Sequence, residues 1–189
     1  MNTHRDWKSY IEEIPDFPKE GISFKDMSPL LKDQGVFRSA IVSMGDLTIG
    51  ENKPPDVWIG IDARGFLFCT LVAEQLGLGA LMIRKPNKLP GELIEKQYEL
   101  EYGTNSLSIQ KLNLENKSIV IIDDLLATGG SMQCSKDLLE SLGANVVAGA
   151  VVIELTSLKG SSQLDMPIIS LVSYCLLYTS DAADERSSV

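Results

Sequence analysis

Residues 119–131 read Ile-Val-Ile-Ile-Asp-Asp-Leu-Leu-Ala-Thr-Gly-Gly-Ser, and no other stretch narrows the possible folds as much. Four consecutive β-branched apolar residues suit a strand buried on both faces, the condition of an interior strand in a parallel sheet. The small-residue loop after it opens a helix over residues 131–142, closed by Gly143. In such a unit the chemistry belongs at the carboxyl end of the strand. There Asp123 and Asp124 can accept hydrogen bonds from vicinal hydroxyls. Ala127, Thr128, Gly129, Gly130 and Ser131 have side chains small enough for backbone N–H groups to close around a phosphate. The combination fits a ribose 5-phosphate. An ordinary βα connection with a capped helix would account for the Asp pair alone. No Gly-x-x-x-x-Gly-Lys-Ser/Thr loop occurs in the chain.

The same unit recurs. Residues 57–61 form a short apolar strand that runs through Asp62-Ala63-Arg64-Gly65 into an apolar helix over residues 66–76. Arg64 and the loop amides can meet an anion there, or Arg64 can pair with a surface carboxylate. A further strand, residues 80–83, leads into Arg84-Lys85-Pro86-Asn87-Lys88-Leu89-Pro90-Gly91, a turn-rich basic loop. Residues 93–110 alternate on either side of a turn and read as a two-stranded ribbon. A lone ribbon is marginal, which predicts a mobile lid. Residues 14–26 hold too many turn formers for a helix and read as an irregular flap. Helical spacing over residues 36–49 and apolar strands at 146–153 and 168–172 complete an α/β pattern. It predicts a mostly parallel sheet with helices on both faces.

A chain of 189 residues can bury one substantial core. Its net charge of -9 argues against a nucleic-acid surface, so an anionic small molecule would have to be met by local cations. Cys69, Cys134 and Cys175 lack metal or redox spacing and read as reduced thiols. No basic-then-apolar signal stands near Met1, and no apolar run approaches the roughly 18 to 20 residues of a membrane span. The expected location is cytoplasmic, without membrane partners.

Together these segments resemble the type I phosphoribosyltransferases, and in particular the adenine branch of that family. Residues 119–131 are similar to the family's phosphoribosyl pyrophosphate motif. Arg-Lys-Pro-x-Lys-Leu-Pro at 84–90 and Leu-Glu-Tyr-Gly at 100–103 resemble the basic and flexible loops of the adenine branch. Asp-Phe-Pro-x-x-Gly-Ile-x-Phe-x-Asp at 16–26 resembles its hood, and residues 154–160 are also similar. The resemblance spans about residues 11–174. It implies a hood at about 1–35 and a flexible loop at about 86–110.

The implied reaction transfers 5-phosphoribosyl from phosphoribosyl pyrophosphate to N9 of adenine, giving AMP and pyrophosphate. The implied roles are specific. Residues 127–131 hold the 5-phosphate and Asp123 and Asp124 the ribose diol. Ala63, Arg64, Arg84, Lys85 and Lys88 hold the diphosphate, with Tyr102 also at the substrate. Phe24 stacks on the purine, Ile22 and Lys25 offer main-chain contacts, and Leu126 covers the other face. Glu101 assists proton removal from the base, with Glu99 as its rival. The resemblance further implies Mg2+ held mainly by substrate and water rather than by a protein metal site, a cis peptide at Asp62–Ala63, and a homodimer. A phosphoribosyltransferase for another base, or a non-catalytic sensor of phosphoribosyl pyrophosphate, are the rival readings. Two departures stand out: Cys69 occupies a position where relatives often have Gly, and residues 175–189 resemble nothing in the family and read as a non-native or disordered tail.

Overall fold

The computed structural model describes residues 6–50, 53–100 and 103–175, which form nine strands and four α-helices. In chain order these are β1 (Glu12–Ile14), β2 (Phe24–Asp26), α1 (Ser28–Lys32), α2 (Gln34–Ile49), β3 (Val57–Ile61), α3 (Gly65–Gln75) and β4 (Gly79–Ile83). There follow β5 (Leu93–Leu100), β6 (Gly103–Gln110), β7 (Ser118–Leu126), α4 (Gly130–Ser141), β8 (Asn145–Leu155) and β9 (Ile168–Tyr174). Residues 176–189, the expected tail, lie outside the described residues, as do Glu101 and Tyr102.

Five strands make the central sheet in the order β4-β3-β7-β8-β9, all neighbours parallel. The apolar runs are continuous because both faces are covered. Trp58, Val120 and Ile122 turn to one side, against Phe68, Val72 and Ala73 of α3 and Ala40, Ile41 and Met44 of α2. Ile59, Ile61, Ile119 and Ile121 turn to the other, against Met132, Cys134, Leu138 and Leu139 of α4. Each fully buried Ile or Leu of these layers contributes about 1.5–3 kcal/mol of hydrophobic stabilisation. α2 begins where the Asp33 carboxylate accepts the Val36 N–H at 2.9 Å, a side-chain N-cap. Burial pushes the Cys69 thiol up to about 12 and the Cys134 thiol up to about 11, so neither is a poised nucleophile. Among the described residues no helix is long and apolar enough to cross a membrane.

Two expectations change. The amino-terminal flap is not wholly irregular, because β1 and β2 pair antiparallel, with Glu13 opposite Lys25 and Ile14 opposite Phe24. The turn formers fill the loop between these short strands, where Asp16 and Gly21 take positive φ. The Asp26 carboxylate then accepts the Ser28 N–H at 2.9 Å and hydroxyl at 2.7 Å, leading into α1. The second change concerns the ribbon β5–β6, which does not stand alone. Leu107 and Ile109 are each 1% exposed and pack into the same core as α4. Lys96 Nζ lies 2.6 Å from Asp137 Oδ2, and the Cys134 thiol donates to the Lys96 carbonyl at 3.5 Å. The alternation that made a ribbon also gave it an apolar face, and that face docks.

Candidate active site

The carboxyl ends of β4, β3 and β7 lie side by side, so the three loops singled out in the sequence open onto one edge of the sheet. The β3–β7 ladder stops at Gly60 opposite Ile122, whereas β7 continues beside β8 as far as Leu126. Asp123 and Asp124 therefore occupy the part of β7 that outruns β3, within the strand rather than after it. That gap is a crevice lined by carboxylates. α3 closes it tightly: a Cβ on Gly65 would stand 2.7 Å from the Ile122 carbonyl oxygen and 3.2 Å from Asp123 Oδ1.

The two carboxylates are not equivalent. Asp123 Oδ1 accepts the Asp124 N–H at 2.8 Å, and the side chain is nearly buried. Burial first, and the neighbouring Asp124 carboxylate second, push the Asp123 carboxyl well above the usual carboxylate range; Arg64 pulls weakly the other way. Asp124 Oδ2 instead pairs with Arg64 Nη2 at 2.7 Å. The same guanidinium lies over the Phe24 ring, its Cζ 5.6 Å from the centroid. One side chain thus links the Asp124 carboxylate to the Phe24 ring.

Asp62, at the end of β3, organises the basic loops. Its Oδ2 accepts Arg84 Nε at 3.1 Å and the Lys85 N–H at 3.4 Å, while its own N–H donates to the Ile83 carbonyl at 2.9 Å. The Asp62–Ala63 peptide is cis. Arg84 also lies over the Phe66 ring and exchanges two backbone hydrogen bonds with Ser108 of β6, at 2.9 and 2.7 Å. Lys85 and Lys88 are exposed, and among the described residues neither side chain has an ion-pair partner. Four cations therefore face one edge of a chain that is acidic overall.

On β7's far side, Gly129 turns at φ 89° so that α4 can start at Gly130. Thr128, Gly129 and Gly130 share a cavity of about 380 Å³ with Lys96 and Tyr98 of the ribbon and Gln163 of the segment after β8. At the hood, Phe24 meets Phe17 edge-on at 5.2 Å. The Lys25 side chain turns away from this site: its Nζ pairs with Glu13 at 2.5 Å and lies 4.5 Å from the Tyr174 ring centroid. Ile22 spends both main-chain groups inside the loop, donating to the Lys19 carbonyl and accepting from the Phe17 N–H, each at 3.2 Å. Leu126 is 2% exposed within the α4-side core, while Leu125 keeps partial exposure.

Sequence reasoning singled out the Asp pair, the glycine loop and the cations, but it missed Asp62 as the residue that ties two loops together. An acidic residue at a strand end next to two basic loops was the only available signal.

A parallel sheet carrying an acidic pair, a glycine turn and basic loops at one carboxyl edge has the chemistry to bind a phosphorylated sugar. Residues 45–172 match the phosphoribosyl transferase domain family. The adenine phosphoribosyltransferase of Rhodospirillum rubrum is 46% identical over 169 residues, covering 88% of this chain and 97% of its own length. That of Thermoanaerobacter pseudethanolicus has a crystal structure that superposes with a TM-score of 0.86 at 47% identity, covering 91% of this chain and all of the other. The Saccharomyces cerevisiae enzyme, crystallised with adenine and an imino-altritol bisphosphate, gives 0.83 at 37% identity, covering 89% and 98%. The chain belongs to the adenine phosphoribosyltransferases, within the phosphoribosyl transferase domain family.

Proposed function

We propose that this chain transfers the 5-phosphoribosyl group of phosphoribosyl pyrophosphate to N9 of adenine. The new bond joins N9 to the anomeric carbon, the bond to the pyrophosphate oxygen breaks with its electron pair, and the N9 proton leaves to a base. The observation that carries the reading is Arg64, held between Asp124 and Phe24. It links the sugar-binding edge to the Phe24 ring of the hood.

In this reading residues 127–131 hold the 5-phosphate through backbone amides, and Asp124, with Asp123 behind it, accepts from the ribose hydroxyls. Arg64 leaves Asp124 when those hydroxyls arrive and joins Arg84, Lys85, Lys88 and the Ala63 backbone at the diphosphate. Charge building on the leaving pyrophosphate is stabilised there by groups already in place. Phe24 stacks on the purine. The main chains of Lys25 and Ile22 read its edge, although the Ile22 groups must then be shared with the loop. The opposite face falls to half-buried Leu125 and not to the expected Leu126, whose side chain is buried in the α4-side core. Glu101 takes the proton and Tyr102 serves phosphoribosyl pyrophosphate binding, with the hood and ribbon acting as covers that exclude water.

Magnesium fits this edge, since Asp124 Oδ2 is a buried oxygen with no hydrogen-bond donor assigned beyond its ion pair. Bound mainly through substrate oxygens and water, it would offset diphosphate charge. Exposed Leu67 and Leu71 on one face of α3, with Met82 on edge strand β4, suit a second copy of the chain, and we propose a homodimer. Unpaired, buried thiols at Cys69 and Cys134 accord with the cytoplasm.

The test is Asp124→Ala in steady-state kinetics. Loss of the diol acceptor should lower kcat/KM for phosphoribosyl pyrophosphate by roughly 100-fold or more. An unchanged value would remove Asp124 from the sugar site.

A further inference from the structure

We propose that Gly160 is a positioning residue for the phosphate loop: its missing side chain lets the segment after β8 press against residues 127–129 from behind and so sets the spacing of the loop amides. The inference rests on the functional reading above, in which that loop holds the 5-phosphate. Gly160 stands at φ -59° and ψ -42°, a conformation any residue adopts, so backbone freedom does not explain it. Space does. A Cβ at Gly160 would collide with the Ala127 carbonyl oxygen and stand 3.0 Å from both the Gly129 nitrogen and the Thr128 carbonyl carbon. From the other side, a Cβ on Gly129 would lie 3.1 Å from the Gly160 carbonyl oxygen. Two glycines, 31 residues apart in sequence, pack backbone to backbone.

The atoms met are backbone, which cannot rotate out of the way as the end of a side chain can. The turn that carries Gly160 is held on its own account. The Gln163 N–H donates to the Gly160 carbonyl at 3.1 Å, and the Ser162 hydroxyl donates to the Lys159 carbonyl at 2.7 Å. Gly160 is buried, and Gln163 and Leu164 beside it line the same cavity as Thr128, Gly129 and Gly130. An added methyl therefore moves the phosphate loop itself.

The experiment compares Gly160→Ala with Gly143→Ala in the full chain. Gly143 lies at the far end of α4, and a Cβ there would stand 3.2 Å from Glu115 Cα at φ 81°, so its variant reports general destabilisation. Gly160→Ala should raise KM for phosphoribosyl pyrophosphate roughly tenfold while moving KM for adenine less than about threefold, whereas Gly143→Ala should leave both near the parent values. Parallel effects of the two variants overturn the proposal. Should Gly160→Ala not fold, hydrogen exchange on the parent decides: AMP should protect residues 127–131 and 158–163 together, and protection of the first segment alone overturns it. A parent chain with no turnover and no protection by AMP refutes the functional reading itself, an outcome distinct from a variant with unaltered KM.

Discussion

Asp123 shows how the site works against the fold that carries it. Its carboxyl holds a proton to higher pH in the folded chain than in the unfolded one, because burial and the Asp124 charge disfavour ionisation. Between the ordinary value near 3.8 and the raised one, the folded state binds more protons, so this residue's contribution to stability falls as pH rises through that window. Asp123→Asn should therefore show a smaller loss of Tm than the parent from pH 4 to pH 8, and a higher Tm than the parent at neutral pH. Its kcat/KM should drop by about ten- to a hundredfold. A variant less stable than the parent at neutral pH would contradict the assignment. The pair stood out only as part of the whole run 119–131, since a capped βα connection would account for two adjacent carboxylates alone. The parts proposed for Asp62 and Gly160 were not legible, since each acts on a partner more than twenty residues away and the segments that contain them do not say what they touch.

At the scale of elements, the strands and helices of the sheet followed from their periodicity. β3 spans the expected residues 57–61, and the α3 and α4 boundaries differ from expectation by a single residue at each end. β7 ran longer than its apolar stretch because β8 continues to pair with it past the two carboxylates. The β1–β2 pairing was hidden by the turn-rich loop that separates its strands. The ribbon was legible as a ribbon but not as part of the core, because alternation alone does not say what lies against the apolar face. Leu107→Ala measures the difference. With Leu107 1% exposed against the α4 core, the substitution should cost about 2–5 kcal/mol in denaturant unfolding. A free-standing ribbon would lose less than about 0.5 kcal/mol.

For the molecule as a whole, strand–helix alternation predicted the parallel sheet, and the crevice beside β7 lies where such sheets place their ligands. What no periodicity could reveal is that Leu67 and Leu71 of α3 and Met82 of the edge strand β4 stay exposed once the sheet is assembled. A dimer through that face predicts a sedimenting mass of twice 20.7 kDa, and Leu71→Glu should return the monomer. A parent that sediments as a monomer at micromolar concentration would contradict it.

Pyrophosphate release from phosphoribosyl pyrophosphate and magnesium, compared for adenine, hypoxanthine, guanine and orotate on the intact chain, decides which reaction the site performs. Adenine should support release with AMP as the second product, and the other bases should be inactive or far slower. Release that prefers another base, or saturable binding of phosphoribosyl pyrophosphate without turnover of any base, would contradict the proposed function.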